Sequence, residues 1–137
     1  MEMDPRFAVA HYQLGQAFVQ KNMFNEGIAE FQKAIAFSGG NKAFRSNLAY
    51  AYARSGRRKE AEEILDDLKN RSNNGFSNAS EIALIYVGLN ETDEAMTWLQ
   101  KAYEERFNPS VLLRPCFDPL RSDPRFQDLL RRIGLNP

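Results

Sequence analysis

The stretch His11-x-x-Leu14-Gly15-x-x-Phe18 is followed by Gly27 and Phe31. Thirty-four residues on, it returns as Arg45-x-x-Leu48-Ala49-x-x-Tyr52 with Ala61 and Leu65. At the same spacing it returns again as Ala79-x-x-Ile82-Ala83-x-x-Tyr86 with Ala95 and Leu99. A fixed period of this length marks stacked structural units, each too short to bury its own apolar face. Within a unit the order of side-chain sizes has a packing reason. Gly15, Ala49 and Ala83 fall where a first helix meets a second closely, and Gly27, Ala61 and Ala95 return the approach from the second helix. Phe18, Tyr52 and Tyr86 are the large knobs beside them.

The intervening periodicity is helical. Val9, Tyr12, Leu14, Phe18 and Val19 predict a helix over about Ala8–Gln20, and Ile28, Phe31, Ala34 and Ile35 a second over about Phe24–Phe37. Ser38-Gly39-Gly40-Asn41 stops it, because glycine and asparagine accept the left-handed conformations that end helices. The next pair is predicted over Lys42–Arg54 and Arg58–Asn70, turning at Ser55-Gly56. The third runs over Ala79–Gly88 and Thr92–Arg106, turning at Leu89-Asn90-Glu91, with the Asn73–Asn78 joint before it. No segment alternates with period two, so the fold class is all-α. The expected architecture is a right-handed α-solenoid of three helix-turn-helix units, at about 8–41, 42–75 and 76–109, with a C-terminal cap over 110–137. Residues 1–137 read as one domain.

Composition narrows the function classes. Lysine plus arginine and aspartate plus glutamate are equal at 18 each, so no net field recruits nucleic acid or an anionic membrane. One cysteine, Cys116, and one histidine, His11, leave no multi-cysteine or histidine-rich metal site and no internal disulfide. No apolar run is long enough to span a membrane, and Met1-Glu2-Met3-Asp4-Pro5 lacks the pattern of a signal peptide. A reducing, cytoplasmic setting follows. No phosphate loop, paired catalytic acids or nucleophile elbow occurs, so no catalytic, cofactor-binding or metal-binding residue is expected and the chain reads as a non-enzyme.

On Leu14, Gly15, Phe18, Phe31 and Ala34, on Leu48, Ala49, Tyr52, Ala61 and Leu65, and on Ile82, Ala83, Tyr86, Ala95, Leu99 and Ala102, the chain resembles the tetratricopeptide repeat family over about residues 8–109. Two departures stand out. The family's tryptophan column holds His11, Arg45 and Ala79, and its terminal proline is missing from all three units. Asp4-Pro5 falls where a preceding unit would end, which reads as a start inside a longer array; a proline-initiated helix is the alternative. At the other end Asp118-Pro119 and Asp123-Pro124 are each suited to start a helix, and Phe126, Leu129, Leu130 and Ile133 make an amphipathic closing helix stopped by Gly134. This tail resembles the segment that closes repeat arrays in some bacterial signalling proteins, which carry a kinase, a cyclase or a winged-helix region upstream.

The resemblance implies a concave groove lined by the first helix of each pair. Tyr12, Gln16 and Val19, then Asn47, Tyr50 and Arg54, then Glu81, Leu84 and Val87 are expected to face it. Rings beside amides and charges suit an extended or helical peptide. The family's carboxylate clamp is not expected. Its columns hold Tyr12, Gln16, Asn47, Ser77 and Glu81, of which only Asn47 matches and Glu81 repels a carboxylate. His11 is expected to pack as an aromatic, Cys116 to be an inert small side chain, and Trp98 to anchor the cap. Arg57-Arg58-Lys59 with Glu60, Glu62 and Glu63 reads as a solvated face with local ion pairs. Arg121, Arg125, Arg131 and Arg132 are offset by Asp118, Asp123 and Asp128. The expected function is a scaffold that binds a protein or peptide of unidentified sequence, with no nucleic acid and no membrane. The alternative is self-association through an uncapped first unit, making a homo-oligomer, or docking within a larger signalling protein as its regulatory tail.

Overall fold

In the computed structural model, which describes residues 5–38, 42–72, 78–104 and 115–132, helices follow one another in pairs joined by three-residue turns. They are α1 (Pro5–Gln20) and α2 (Phe24–Ser38), α3 (Lys42–Arg54) and α4 (Arg58–Ser72), and α5 (Ala79–Gly88) and α6 (Thr92–Glu104). A 3₁₀ helix (Pro115–Leu120) and α7 (Pro124–Arg132) close the chain. No strand occurs among the described residues. The bounds of α3 and α5 are those the spacing predicts. Ile133 and Gly134, which were expected to end the closing helix, lie outside the described residues, as do Gly39, Gly40, Asn41 and most of the Asn-rich joint.

One turn is built three times, and its hydrogen bonds explain the period. Asn22, Gly56 and Asn90 have φ of 62°, 91° and 63°. Each is the left-handed residue after a helix, and the next N–H reaches back to the aromatic position of the repeat. Met23 N donates to Phe18 O at 2.9 Å, Arg57 N to Tyr52 O at 2.8 Å and Glu91 N to Tyr86 O at 2.9 Å. The carbonyls of the same three residues then accept from Gly27, Ala61 and Ala95, opening the second helix. One residue thus ends one helix and begins the next.

The small columns are where the paired helices touch. A Cβ on Gly15 would stand 2.6 Å from Phe31 Cε1, and one on Gly27 would stand 2.8 Å from Val19 Cγ2. Ala49, Ala61, Ala83 and Ala95 are all 0 % exposed. The missing tryptophan column is replaced by polar side-chain pairs tying first helix to second. His11 Nδ1 lies 2.6 Å from Glu30 Oε2, with its ring stacked on Phe37 at 5.6 Å and 7°; Arg45 pairs with Asp67 at 2.6 Å. Ala79 is simply buried. His11 therefore packs as an aromatic, as its column predicts.

The two joints between pairs differ. α3 packs chiefly on α2 and touches α1 little, whereas α5 packs chiefly on α3. Gly88 permits the second arrangement: a Cβ there would meet Tyr50 Cδ2 at 3.0 Å and Ala53 Cβ at 3.2 Å. The same register position in α3 is Arg54, which cannot enter such a gap. Its guanidinium lies instead 5.5 Å from the centre of the Phe24 ring. The core follows this asymmetry. Small clusters bind the first two pairs, while one large cluster runs from Ala49 through α5 and α6 to Leu130.

The cap leaves the sequence period but keeps the stacking order: the 3₁₀ helix lies on α5 and α7 on α6. Phe117, Leu120, Phe126, Leu129 and Leu130 are 0–3 % exposed. Burying each is worth roughly 1.5–3 kcal/mol as an upper estimate. One expectation about the tail is corrected. Pro119 lies inside the 3₁₀ helix, so Asp118-Pro119 starts no helix; a short 3₁₀ segment tolerates a proline that an α-helix interior would not. Only Asp123-Pro124 behaves as expected, with Arg125 N donating to Asp123 Oδ1 at 2.8 Å. Trp98 is half-buried and packs against the core cluster that holds the cap residues. Its ring meets the Lys69 ammonium of the preceding pair at 5.9 Å and Lys101 at 4.8 Å.

Candidate interaction groove

The nine residues expected in the groove differ widely in exposure. On the α1–α3 side the helices stand apart and one side chain spans the gap. The Tyr12 ring packs 4.5 Å from Phe44 and 5.9 Å from Phe31. Its hydroxyl accepts hydrogen bonds from Gln16 Nε2 and Asn47 Nδ2, both at 3.1 Å. Tyr12 and Gln16 are half-buried, while Asn47 is 5 % exposed, so a buried amide is fixed by a hydroxyl at the surface. Val19 is half-buried and belongs to the α1–α2 contact through its Cγ2. Arg54 is exposed at the end of α3.

On the α3–α5 side the expectation of groove exposure is corrected. Tyr50, Leu84 and Val87 are 7 %, 3 % and 6 % exposed, members of the core cluster that also holds Phe117 and Leu120. Close approach at Gly88 sets the end of α5 against Tyr50, and all three side chains lie inside that cluster. Glu81 remains half-buried in the first turn of α5 and accepts the Ser80 hydroxyl at 2.6 Å. Of the nine, Arg54 is exposed, Tyr12, Gln16, Val19 and Glu81 are half-buried, and Asn47, Tyr50, Leu84 and Val87 are buried.

The sequence did not flag three contributors. Gly88 sets the closed joint. Asn78 is 3 % exposed and donates Nδ2 to Leu68 O at 3.0 Å, tying α4 to the start of α5. Gln32 Nε2 donates to Tyr52 Oη at 3.0 Å between the first two pairs. A glycine at the end of an apolar first helix was the available signal for the first; the other two had none. Of the columns tested for a clamp, Ser77 lies outside the described residues, as does the side chain of Cys116.

Charge outside the groove is locally balanced. Partial burial pushes the Glu30 carboxyl up, but the His11 hydrogen bond and the Lys33 charge outweigh it and hold the group below its ordinary value. Hydrogen bonds from Arg125 likewise lower Asp123. Arg58 joins Glu62 on its own helix and Glu91 of the next pair, both at 3.2 Å, so the basic run contributes an inter-unit tie. A cleft of about 630 Å³ opens between α6 and α7, lined in part by Lys101, Glu104, Arg125 and Asp128. Its arginines are already paired, Arg125 with Asp93 and Asp123 and Arg132 with Asp128. Among the described residues no group of three or more potential ligands could hold a metal ion, and no helix is long and apolar enough to cross a membrane.

Comparison with known proteins bears on the repeat fold. Two family profiles, both described as tetratricopeptide repeat, match residues 18–82 and 80–109. Neither the curated proteins nor the solved structures returned a match.

Proposed function

Because the chain belongs to the tetratricopeptide repeat family, whose repeats mediate protein–protein contact, we propose that it holds a peptide segment across the α1–α3 side of its concave face. The observation that carries this reading is the Tyr12–Gln16–Asn47 network. Its hydroxyl and amides are held in place before any ligand arrives, which lowers the ordering cost of binding. One amide proton of Gln16 goes to Tyr12. An amide carries a carbonyl oxygen and a second proton as well, the pair that matches a peptide backbone in register.

Polarity supports a direction. All first helices run the same way, so Arg54 at the end of α3 and Glu81 at the start of α5 stand at opposite ends of the face. A bound segment with an acidic residue near Arg54 and a basic one near Glu81 fits this field. A free C-terminal carboxylate does not, since Asn47 is engaged by Tyr12 and Glu81 supplies repulsion. A cytoplasmic, non-catalytic role is the setting this reading assumes.

The test uses a displayed library of random twelve-residue peptides as probe. Enriched peptides are expected to lose about tenfold or more in affinity with Gln16→Ala, and to change their charge preference with Arg54→Glu. Peptides that bind both variants as they bind the parent protein, or a library that yields none, would show that this side of the face is not the binding surface.

A further inference from the structure

Three register columns are closed in α3 and α5 but open in α1. Phe44, Leu48 and Ala51 are 7 %, 7 % and 0 % exposed; Asn78, Ile82 and Ile85 are 3 %, 0 % and 0 %. Their counterparts in the first pair, Ala10, Leu14 and Ala17, lie at the surface, with Leu14 45 % exposed. In the second pair the cover comes from α2, whose Ile28 and Phe31 cluster with Leu48 and Ala51. Among the described residues nothing covers α1 in that way. Phe7, which is 55 % exposed and touches Phe37 on one side, extends the same face.

The order of sizes along this face identifies what fits it. Phe7, Ala10, Leu14 and Ala17 follow at steps of three, four and three, which places them within roughly 80° of arc on an α-helix. They form a heptad seam in which large and small residues alternate. Laid antiparallel on a second copy, the seam sets Phe7 against Ala17 of that copy and Leu14 against its Ala10, so every large residue meets a small one. Charge agrees. Between Phe7 and Gln20 there is no aspartate, glutamate, lysine or arginine, and His11 is turned to Glu30, so pairing brings no like charges together. Stacking of copies head to tail is closed, because α7 already covers α6.

We propose that α1 is an antiparallel homodimerisation seam built on Phe7, Ala10, Leu14 and Ala17. One helix from each copy buries on the order of 1,000 Å² in total, the low end for a specific interface, so the dimer is weak and reversible. Its Kd is expected on the order of tens of micromolar. The seam faces away from Tyr12 and Gln16, so pairing leaves the proposed groove open.

Sedimentation equilibrium over micromolar to millimolar protein tests this, with circular dichroism confirming each variant's helicity. Leu14→Glu is expected to weaken the dimer by about a hundredfold or more, since two carboxylates would be placed in an apolar seam. Ala17→Glu, at a fully surface position, gives the same loss if Leu14→Glu disturbs folding. Ala10→Leu alone sets leucine on leucine and weakens pairing about tenfold or more. Combining it with Leu14→Ala exchanges large for small and restores the dimer, which general stickiness cannot do. A chain that stays monomeric throughout assigns this face to another partner and overturns the proposal. A dimer that survives Leu14→Glu, or a double variant that fails to recover, overturns it equally.

Discussion

Gly15→Ala should destabilise this protein even though alanine is the better helix former, and the internal repeats say by how much and why. The new Cβ would stand 2.6 and 2.7 Å from two carbons of the Phe31 ring and 3.2 Å from the Gly27 carbonyl. Phe31 is 1 % exposed and has no room to retreat. Overpacking of this severity costs about 3 kcal/mol, the upper end for core insertions, and the helix propensity gained returns about 1 kcal/mol. The net loss is therefore about 2 kcal/mol. The other two pairs place alanine opposite leucine, as Ala49 with Leu65 and Ala83 with Leu99. Phe31→Leu alone should cost about 1–2 kcal/mol through the space it leaves. The double variant gives the first pair the arrangement of the other two and should fall within about 1 kcal/mol of the parent protein. The coupling is then about 3 kcal/mol, equal to the overpacking removed. Urea unfolding followed by the helical circular dichroism signal measures all four corners of the cycle. Trp98 fluorescence reports on the third pair and shows whether the first pair unfolds with it, which stacked repeats do not guarantee. A neutral or stabilising Gly15→Ala, or effects that simply add, would refute close contact between α1 and α2 as the reason for glycine.

Gly56→Ala isolates the turn. A Cβ at Gly56 would meet nothing within 4 Å, so the expected loss of about 1–2 kcal/mol in urea unfolding is backbone strain at its φ of 91° alone. Leu129→Ala should cost about 2–5 kcal/mol, because Leu129 is 2 % exposed in the contact of α7 with the core, and amide exchange should rise first in α6 and α7. Asp123 should make the cap acid-sensitive. Arg125 hydrogen bonds lower its pKa below the ordinary 3.8, so its contribution is complete above that value and fades as pH falls through the lower folded value. Acid titration of stability should therefore flatten in Asp123→Ala over that low-pH window; an unchanged acid limb would contradict it.

Helix bounds, turn positions and pair boundaries depend on residues near one another in the chain, and for that reason they were legible without coordinates. A left-handed asparagine or glycine every 34 residues, small columns facing large ones and an aromatic two residues before the end of each first helix are local facts. They fix the turn and the pair. The groove was legible only in part. Family columns assign Tyr12, Gln16, Asn47, Tyr50, Leu84 and Val87 to one face, yet Tyr12 and Gln16 are half-buried and the other four are buried. Column position specifies a direction from the helix axis, whereas burial depends on how close the next element comes.

A stack of helix pairs followed by a helical segment off the period is readable from residues alone, because repetition and capping chemistry are local. Tertiary structure decided the rest. It set the spacing of the two joints through Gly88 in one and Arg54 in the other, the burial of Tyr50, Leu84 and Val87, and the exposure of Phe7 and Leu14 on α1. Each of these is a contact between residues distant in the chain. Its energy depends on distances that no local pattern encodes, so identical columns become core in one pair and surface in another.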